Sequence, residues 1–405
     1  MREDHHEENI PTSSFFDRIK TKGAIHMSYR IGVLKGDGIG PEIVNSSMRI
    51  FKTALSQFNE PFVEFVECPI GAEAIHSHQD PVPASTIAAL KKCHGWILGP
   101  HDSASYPDQL KERRNPSGEL RHTFDLFANI RPSQSLPGVK SVASGVDLVI
   151  FRENTEGFYP DRNMYQGTGE WMITPDVAIS TGVFTKKAIT RITHAAFQRA
   201  VERRGKVTIV HKANVIKLGS GLFLRTCQEV AKAYPQVEVE DIHIDAMAAH
   251  LVRRAGDFDV IVTENMFGDI LSDLAGELVG SLGMAPSLNC NENQAMAQAA
   301  HGSAPDIAGQ NIANPMGMIL STVMLCNWLH VKYQDERLKQ TASLIEHTLG
   351  ETLKKNLKTK DLGGNETTTQ FTEAFIQTMN EVSIKGDEHE NRKRKDDQGR
   401  ILSSK

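Results

Sequence analysis

Apolar positions recur along the chain in two alternating rhythms. Tyr29–Leu34 reads YRIGVL, a short strand pattern, and it ends in the glycine-rich turn KGDGIGPE. Beyond Pro41, the residues Val44, Met48, Phe51 and Leu55 fall three or four apart, the spacing of one helix face. A strand at 62–66, a helix at 83–91 and a strand at 95–98 continue the order. Strands at 147–152, 206–211 and 258–263 then alternate with helical periodicity at 185–203, 221–233 and 270–282. In the last of these, Ile270, Leu271, Leu274, Leu278 and Leu282 supply the expected core face. Further helices are expected from Pro315 onward, over 335–358 and over 370–381. Such alternation predicts an α/β fold in which helices cover a mainly parallel sheet.

Two stretches interrupt the rhythm. His101 to Glu119 mixes prolines, glycine and charge, and reads as a loop facing the site rather than as an element. Gly157 to Pro175 is aromatic and rich in turn residues, which predicts an excursion that pairs with a second subunit. The expected organisation is a flexible leader at 1–26, the start of a first α/β domain at 27–126, and a second α/β domain at 127–280. The excursion occupies 158–175, the chain returns to the first domain over 281–382, and 383–405 is a flexible charged tail.

Composition narrows the function classes. The 405 residues, 40% hydrophobic and 23% charged, suffice for two packed domains. A formal charge of -5 gives no general attraction for nucleic acid, and the RKRK run at 392–395 reads as part of a solvated tail. The chain has no 18-residue apolar run, and residues 1–26 lack the apolar core of a secretory signal, so a cytoplasmic protein is expected. Cys68, Cys93, Cys227, Cys290 and Cys326 form no CxxC pair and are odd in number, which fits packed thiols in a reducing compartment.

Candidate chemistry begins with Asp269 and Asp273 in FGDILSD. Four apart on a helix, they project from one face. Unaccompanied, such a like-charge pair destabilises a helix by roughly 0.2–0.5 kcal/mol, whereas a hard divalent cation such as Mg2+ or Mn2+ would bind their oxygens. Spacing alone leaves two solvated helix charges as an equal reading. Asp245, expected at the end of a strand, is a candidate third ligand if it faces the first pair, for example across a subunit boundary; Asp241 reads as a surface acid, and His243 and His250 as structural. Arg121, Arg131 and Arg152 stand apart from charge-rich runs and suit an acidic substrate, because a guanidinium grips a carboxylate through two parallel donors. Lys212 and Tyr159 offer proton transfer, with packing roles as the alternative. GDGIG at 36–40 is not the dinucleotide pattern GxGxxG, but predicts a tight turn near a ligand. HGSAPDIAG at 301–309 offers backbone donors, and Asp306 a carboxylate for ribose hydroxyls that would repel the extra phosphate of NADP.

In family order, GDGIGPE (36–42), DLFANIRP (125–132), RENTEG (152–157), HKAN (211–214), FGDILSDL (267–274), HGSAPDIAG (301–309) and DLGG (361–364) closely resemble the isocitrate/isopropylmalate dehydrogenases, metal-dependent β-decarboxylating enzymes. The resemblance spans Ile31 to Met379 and implies a two-domain fold without an ordinary Rossmann dinucleotide-binding domain. It implies that Arg121, Arg131 and Arg152 bind malate carboxylates, that Asp245, Asp269 and Asp273 hold Mg2+ or Mn2+, and that Lys212 and Tyr159 move protons. It places Asn265, His301, Gly302, Ser303, Ala304, Asp306, Ile307 and Asn314 at NAD, with Asp306–Ile307 matching NAD rather than NADP use. A homodimer is implied, Lys212 and Asp245 coming from the neighbouring chain. The expected reaction is oxidation of a 3-substituted malate at C2, then loss of the C3 carboxylate as carbon dioxide.

The chain departs from the family pattern before Arg121. Isocitrate-specific members place Ser and Asn six and four residues ahead of that arginine, where this chain has Asn115 and Ser117. Ser117 and Gly118 also give little apolar surface for an isopropyl group, each buried methyl of which is worth about 0.8 kcal/mol. Asn115 and Ser117 are therefore candidate substrate contacts, and isopropylmalate, isocitrate, homoisocitrate, D-malate and tartrate all remain candidates. Lys35 and Glu264 are further departures. The rival reading is a non-catalytic regulatory subunit of a related dehydrogenase.

Overall fold

The structure is a computed structural model that describes residues 28–110, 113–159, 164, 167 and 169–383. The expected leader and nearly all of the expected tail lie outside the described residues.

Among the described residues, twelve strands follow one another as β1 (Tyr29–Leu34), β2 (Val63–Glu67), β3 (Gly95–Leu98), β4 (Ala128–Gln134), β5 (Asp147–Glu153), β6 (Glu170–Thr174), β7 (Val177–Ser180), β8 (Lys206–His211), β9 (Glu238–His243), β10 (Val260–Thr263), β11 (Pro286–Cys290) and β12 (Ala295–Ala299). Ten of them form one sheet in the order β2-β1-β3-β12-β11-β4-β5-β10-β8-β9. Both flanks are parallel, as helical crossovers require. The centre is antiparallel: β11 pairs with β12 and β4, and β4 with β5. The mixed α/β architecture expected from the sequence is thus present, with no Rossmann-type half closing it.

Alternation along the central strands gives the sheet two different faces. On β4 and β5, Ile130, Val149 and Phe151 join the main core, while Ile150 packs with Leu271 and Leu278 beneath the helix Asn265–Val279. Arg131 and Arg152 share that second face, so the two guanidiniums emerge where this helix begins. Helices Met316–Tyr333 and Lys186–Val201 cover the opposite face.

Several local expectations need correction. The segment 101–119 is not simply a loop: helix Pro116–Thr123 begins inside it, after two single 3-10 turns at Ser103–Ser105 and Asp108–Leu110. Its start has a physical cause, because the Asn115 side chain accepts the Gly118 N–H at 2.7 Å and Pro116 is preset for the first helical position. The excursion continues past 175 as the hairpin β6–β7, whose Trp171, Met172, Ile173 and Val177 are exposed. Asp245 stands in the first turn of helix Ile244–Arg254 rather than on a strand. Ile270, placed in a core face by its spacing, is 54% exposed. No described helix is long and apolar enough to cross a membrane, and all five cysteines are buried free thiols.

Candidate active site

Strand β10 runs into helix Asn265–Val279 with only Glu264 between them, which sets the first turns of the helix against the side chains of β4 and β5. Arg152 is 1% exposed and passes so close that a Cβ on Gly268 would lie 2.6 Å from its Cγ. A glycine at 268 is therefore what allows the helix to sit over this arginine. Arg152 Nε and Nη2 donate to Asn265 Oδ1 at 2.9 and 2.7 Å, and Nη1 pairs with Asp269. Asn265, expected at the cofactor, is instead fully buried behind Arg152, its own amide donating to the Glu156 carbonyl at 2.9 Å.

Arg131 meets the same helix from β4. Its Nη1 donates to Ser272 Oγ at 2.6 Å and Asp273 Oδ1 at 3.2 Å, while Nη2 lies 3.3 Å from Asp269 Oδ1. Tyr159 completes the group by donating its hydroxyl to Asp269 Oδ2 at 2.7 Å. Burying two guanidiniums is costly unless carboxylates accompany them. The competition shows in Asp269: burial works to raise its carboxyl, but Arg152 and Arg131 outweigh it and hold it down at about 2. Asp273, partly buried and with Arg131 offset by its neighbour Asp269, is pushed upward instead. The sequence-predicted residues Arg131, Arg152, Asp269, Asp273 and Tyr159 are thus brought together.

Beside them lies a cavity of about 410 Å3 whose lining includes Arg121, Asn115, Ser117, Arg131, Arg152, Asp269 and His301. Ser117 Oγ and Arg121 Nη2 both donate to Gln298 Oε1, at 2.8 and 3.2 Å. Gln298 on β12 and His101 after β3 were not singled out. Gln298 stands just ahead of HGSAPDIAG and His101 opens the segment read as facing the site, but only sheet order brings those strand ends together. Asp37 was missed as well. It is 7% exposed and accepts from Ala72 N–H at 2.7 Å, Asp102 N–H at 3.0 Å and Tyr106 Oη at 2.6 Å, fixing the wall that carries His101. The turn GDGIG packs on the loop after β12: Gly38, at φ 57°, leaves no room for a Cβ beside the Ser303 carbonyl, which accepts the Ile39 N–H at 2.9 Å.

In that loop Gly302 and Asp306 are exposed and Ala304 and Ile307 half-buried, whereas Ser303 is buried. Asn314 is buried, donating to Asp361 Oδ2 and accepting the Met316 N–H, both at 2.9 Å. His301 keeps one ring nitrogen, Nε2, buried without a partner among the described residues, and Asp306 offers an exposed carboxylate on the same loop; both fit a ribose-bearing cofactor.

Lys212 and Asp245 form a separate pair beyond the ends of β8 and β9, the last two strands at one edge of the sheet. Both approach the surface, and among the described residues no group of three acids, histidines or cysteines stands ready for a metal. One chain therefore presents two carboxylates of the expected cation set, not three. Asp241, expected to be a solvated acid, accepts from His211 Nε2 at 3.0 Å; His211 Nδ1 takes the Ala213 N–H, which assigns the tautomer.

Glu264, noted in the sequence as a departure from the family pattern, is a buried acid. It is 3% exposed, takes the Ser220 hydroxyl on one oxygen and leaves the other unpartnered among the described residues, and burial lifts it from 4.5 to about 7. An acid raised by folding keeps its proton in the native state after the unfolded chain has lost it. Stability should therefore fall as pH rises from 4.5 to about 7 and level off above that. Glu264→Gln should remove this group's part of the fall, on the order of 1–3 kcal/mol, in thermal unfolding of both proteins across that window. Parallel pH curves would contradict it.

The sequence matches the isocitrate/isopropylmalate dehydrogenase family over residues 30–376. It is 42% identical over 360 residues to the isocitrate/homoisocitrate dehydrogenase of Thermus thermophilus, covering 87% of this chain and 99% of that one. It is 39% identical over 358 residues to the 3-isopropylmalate/3-methylmalate dehydrogenase of Methanocaldococcus jannaschii, again covering 87% and 99%. A crystal structure of isocitrate dehydrogenase from Methylococcus capsulatus superposes with a TM-score of 0.78 at 35% identity, covering 87% of this chain and 99% of that one. With the family match running through every strand of the sheet and relatives matched over almost their whole length, this chain belongs to the isocitrate/isopropylmalate dehydrogenase family of oxidoreductases.

Proposed function

We propose that the chain oxidises a 3-substituted malate with NAD and a divalent cation, releasing a 2-keto acid and carbon dioxide. The observation that carries this reading is the interlocked group of Arg131, Arg152, Asp269, Asp273 and Tyr159 at the edge of the cavity. Arginines that hold acids in the free protein are placed to hold substrate carboxylates instead, and Arg121 faces them across the same space. Asp269 and Asp273 would hold Mg2+ or Mn2+ with Asp245 of the partner subunit, the oxygen-only set suiting a hard cation. When bound, the cation supplies positive charge at the substrate C2 oxygen and the nicotinamide supplies the hydride acceptor. Lys212 of the partner subunit, or a water it holds, takes the hydroxyl proton. With the C2 hydride gone and C2 a ketone, the C3–carboxylate bond breaks, its electron pair moving into the C2–C3 bond as the carbonyl pair moves onto the C2 oxygen; the carbonyl re-forms as Tyr159 gives a proton to C3.

A homodimer accounts for the split of the residues. The hairpin β6–β7 presents Trp171, Met172 and Ile173 to solvent, and Val252 and Ile270 are exposed on two adjacent helices. Asp306 would accept ribose hydroxyls, favouring NAD over NADP.

Oxidation of isocitrate, homoisocitrate, 3-isopropylmalate, D-malate and tartrate, followed as NADH with NAD and Mn2+, tests the reading. One or more should be oxidised, with activity lost to a chelator and restored by metal; no NADH from any of them would overturn it. Cation and substrate should also assist each other, since a substrate that occupies the arginines frees the acids. Mn2+ affinity by titration should tighten at least about tenfold when substrate is present. Equal affinities would contradict the exchange of partners.

A further inference from the structure

The cavity wall away from Asp269 holds polar groups that the fold leaves open. His101 follows Gly99 and Pro100 at the end of β3, and both of its ring nitrogens are buried with no partner among the described residues. Burial, reinforced by the charge of Arg121 and opposed by Asp37, keeps the imidazole far below its usual range, at about 4. The ring is thus neutral, with one N–H to give and one lone pair to receive. Gln298 spends its oxygen on Ser117 and Arg121, and its Nε2 makes no hydrogen bond among the described residues. The apolar side chains lining the cavity are Pro100, Ala104 and Ala300, none of them a branched aliphatic group. A branched alkyl substituent there would find little to pack on and would leave His101 dry and unpaired.

We propose that His101 and Gln298 are specificity-determining residues that read the substituent at C3 of the substrate and select one bearing oxygen over a branched alkyl group. Arg121 ties the two to the substrate side of the cavity: its charge acts on His101, and it shares Gln298 with Ser117. The inference rests on the malate-type reading given above, and it adds the chemistry of the variable group. Candidate substituents are the carboxymethyl group of isocitrate, the longer acid of homoisocitrate and the hydroxyl of tartrate.

The test uses the full chain and its His101→Leu, His101→Gln and Gln298→Leu variants, with kcat and KM measured separately for those three acids and for 3-isopropylmalate. The wild type should favour its best oxygen-bearing substrate over 3-isopropylmalate by about 100-fold or more in kcat/KM. His101→Leu should cut that ratio by about 30-fold, mostly through KM, while His101→Gln, which keeps a donor and an acceptor, should stay within about fivefold. Gln298→Leu should shift the ratio in the same direction as His101→Leu. A wild type that prefers 3-isopropylmalate, or a ratio unmoved in folded His101→Leu and Gln298→Leu, would overturn the proposal. Should the wild type oxidise none of the four, nor D-malate, the proposed function falls by itself. Calorimetric binding of isocitrate and 3-isopropylmalate to the Mn2+-loaded proteins then decides the specificity question by the same ratio.

Discussion

Asp269→Asn is expected to lower kcat/KM by about a thousandfold or more, roughly 4 kcal/mol of transition-state stabilisation. Asp269 is the acid on which the site converges, paired with both Arg152 and Arg131 and receiving the Tyr159 hydroxyl. An amide keeps the shape and one acceptor but removes the charge that a cation requires. Folding should suffer far less. The vacated guanidinium groups border a cavity that water can fill, so a cost of about 1–3 kcal/mol is expected, seen as a drop of several degrees in Tm. Asp273→Asn should have a smaller effect, because Asp273 is more exposed and is held by Arg131 alone of the two buried arginines. Steady-state kinetics across a Mn2+ series, alongside thermal unfolding, separates the two effects. Near-wild-type turnover with an unchanged metal requirement would remove Asp269 from the cation site.

Lys212→Ala should be similarly inactive, losing about a hundred- to ten-thousandfold in kcat, yet it should regain activity when refolded with Asp269→Asn. Within one chain Lys212 pairs with Asp245, away from Asp269. If each site takes Lys212 from one subunit and Asp269 from the other, a mixed dimer carries one doubly damaged site and one intact site. Random mixing makes half of the dimers mixed, so about a quarter of wild-type activity should return. Size-exclusion chromatography and differently tagged chains establish that mixed dimers formed. Mixed dimers with no recovered activity would show that each chain uses its own Lys212, or that the residue has another task.

These expectations were unequally legible in the sequence. The α/β alternation, most element bounds and the acidic helix face follow from periodicity and spacing, which are local properties. The antiparallel centre of the sheet was not, because strand order depends on which chain segments meet after hundreds of residues. The helix Pro116–Thr123 was available as a signal: Asn115-Pro116 ahead of Glu119 is a capping pattern, obscured by the charge and prolines before it. Asp37, His101, Gln298 and Glu264 could not be found from spacing, since each acquires its role through burial and through partners distant in sequence. Ile270 shows the opposite error, an apolar residue at core spacing that faces outward. Its exposure fits the proposed homodimer, in which a second subunit would cover it.

The Asp269–Asp273 face is tested most directly by anomalous scattering from crystals grown with Mn2+ and a malate-type acid that the protein binds. The predicted result is a single strong manganese peak contacting both carboxylates, with Arg131 and Arg152 turned to the carboxylates of the bound acid. A manganese peak elsewhere, with Asp269 still paired to Arg131 and Arg152 beside a bound acid, would contradict it.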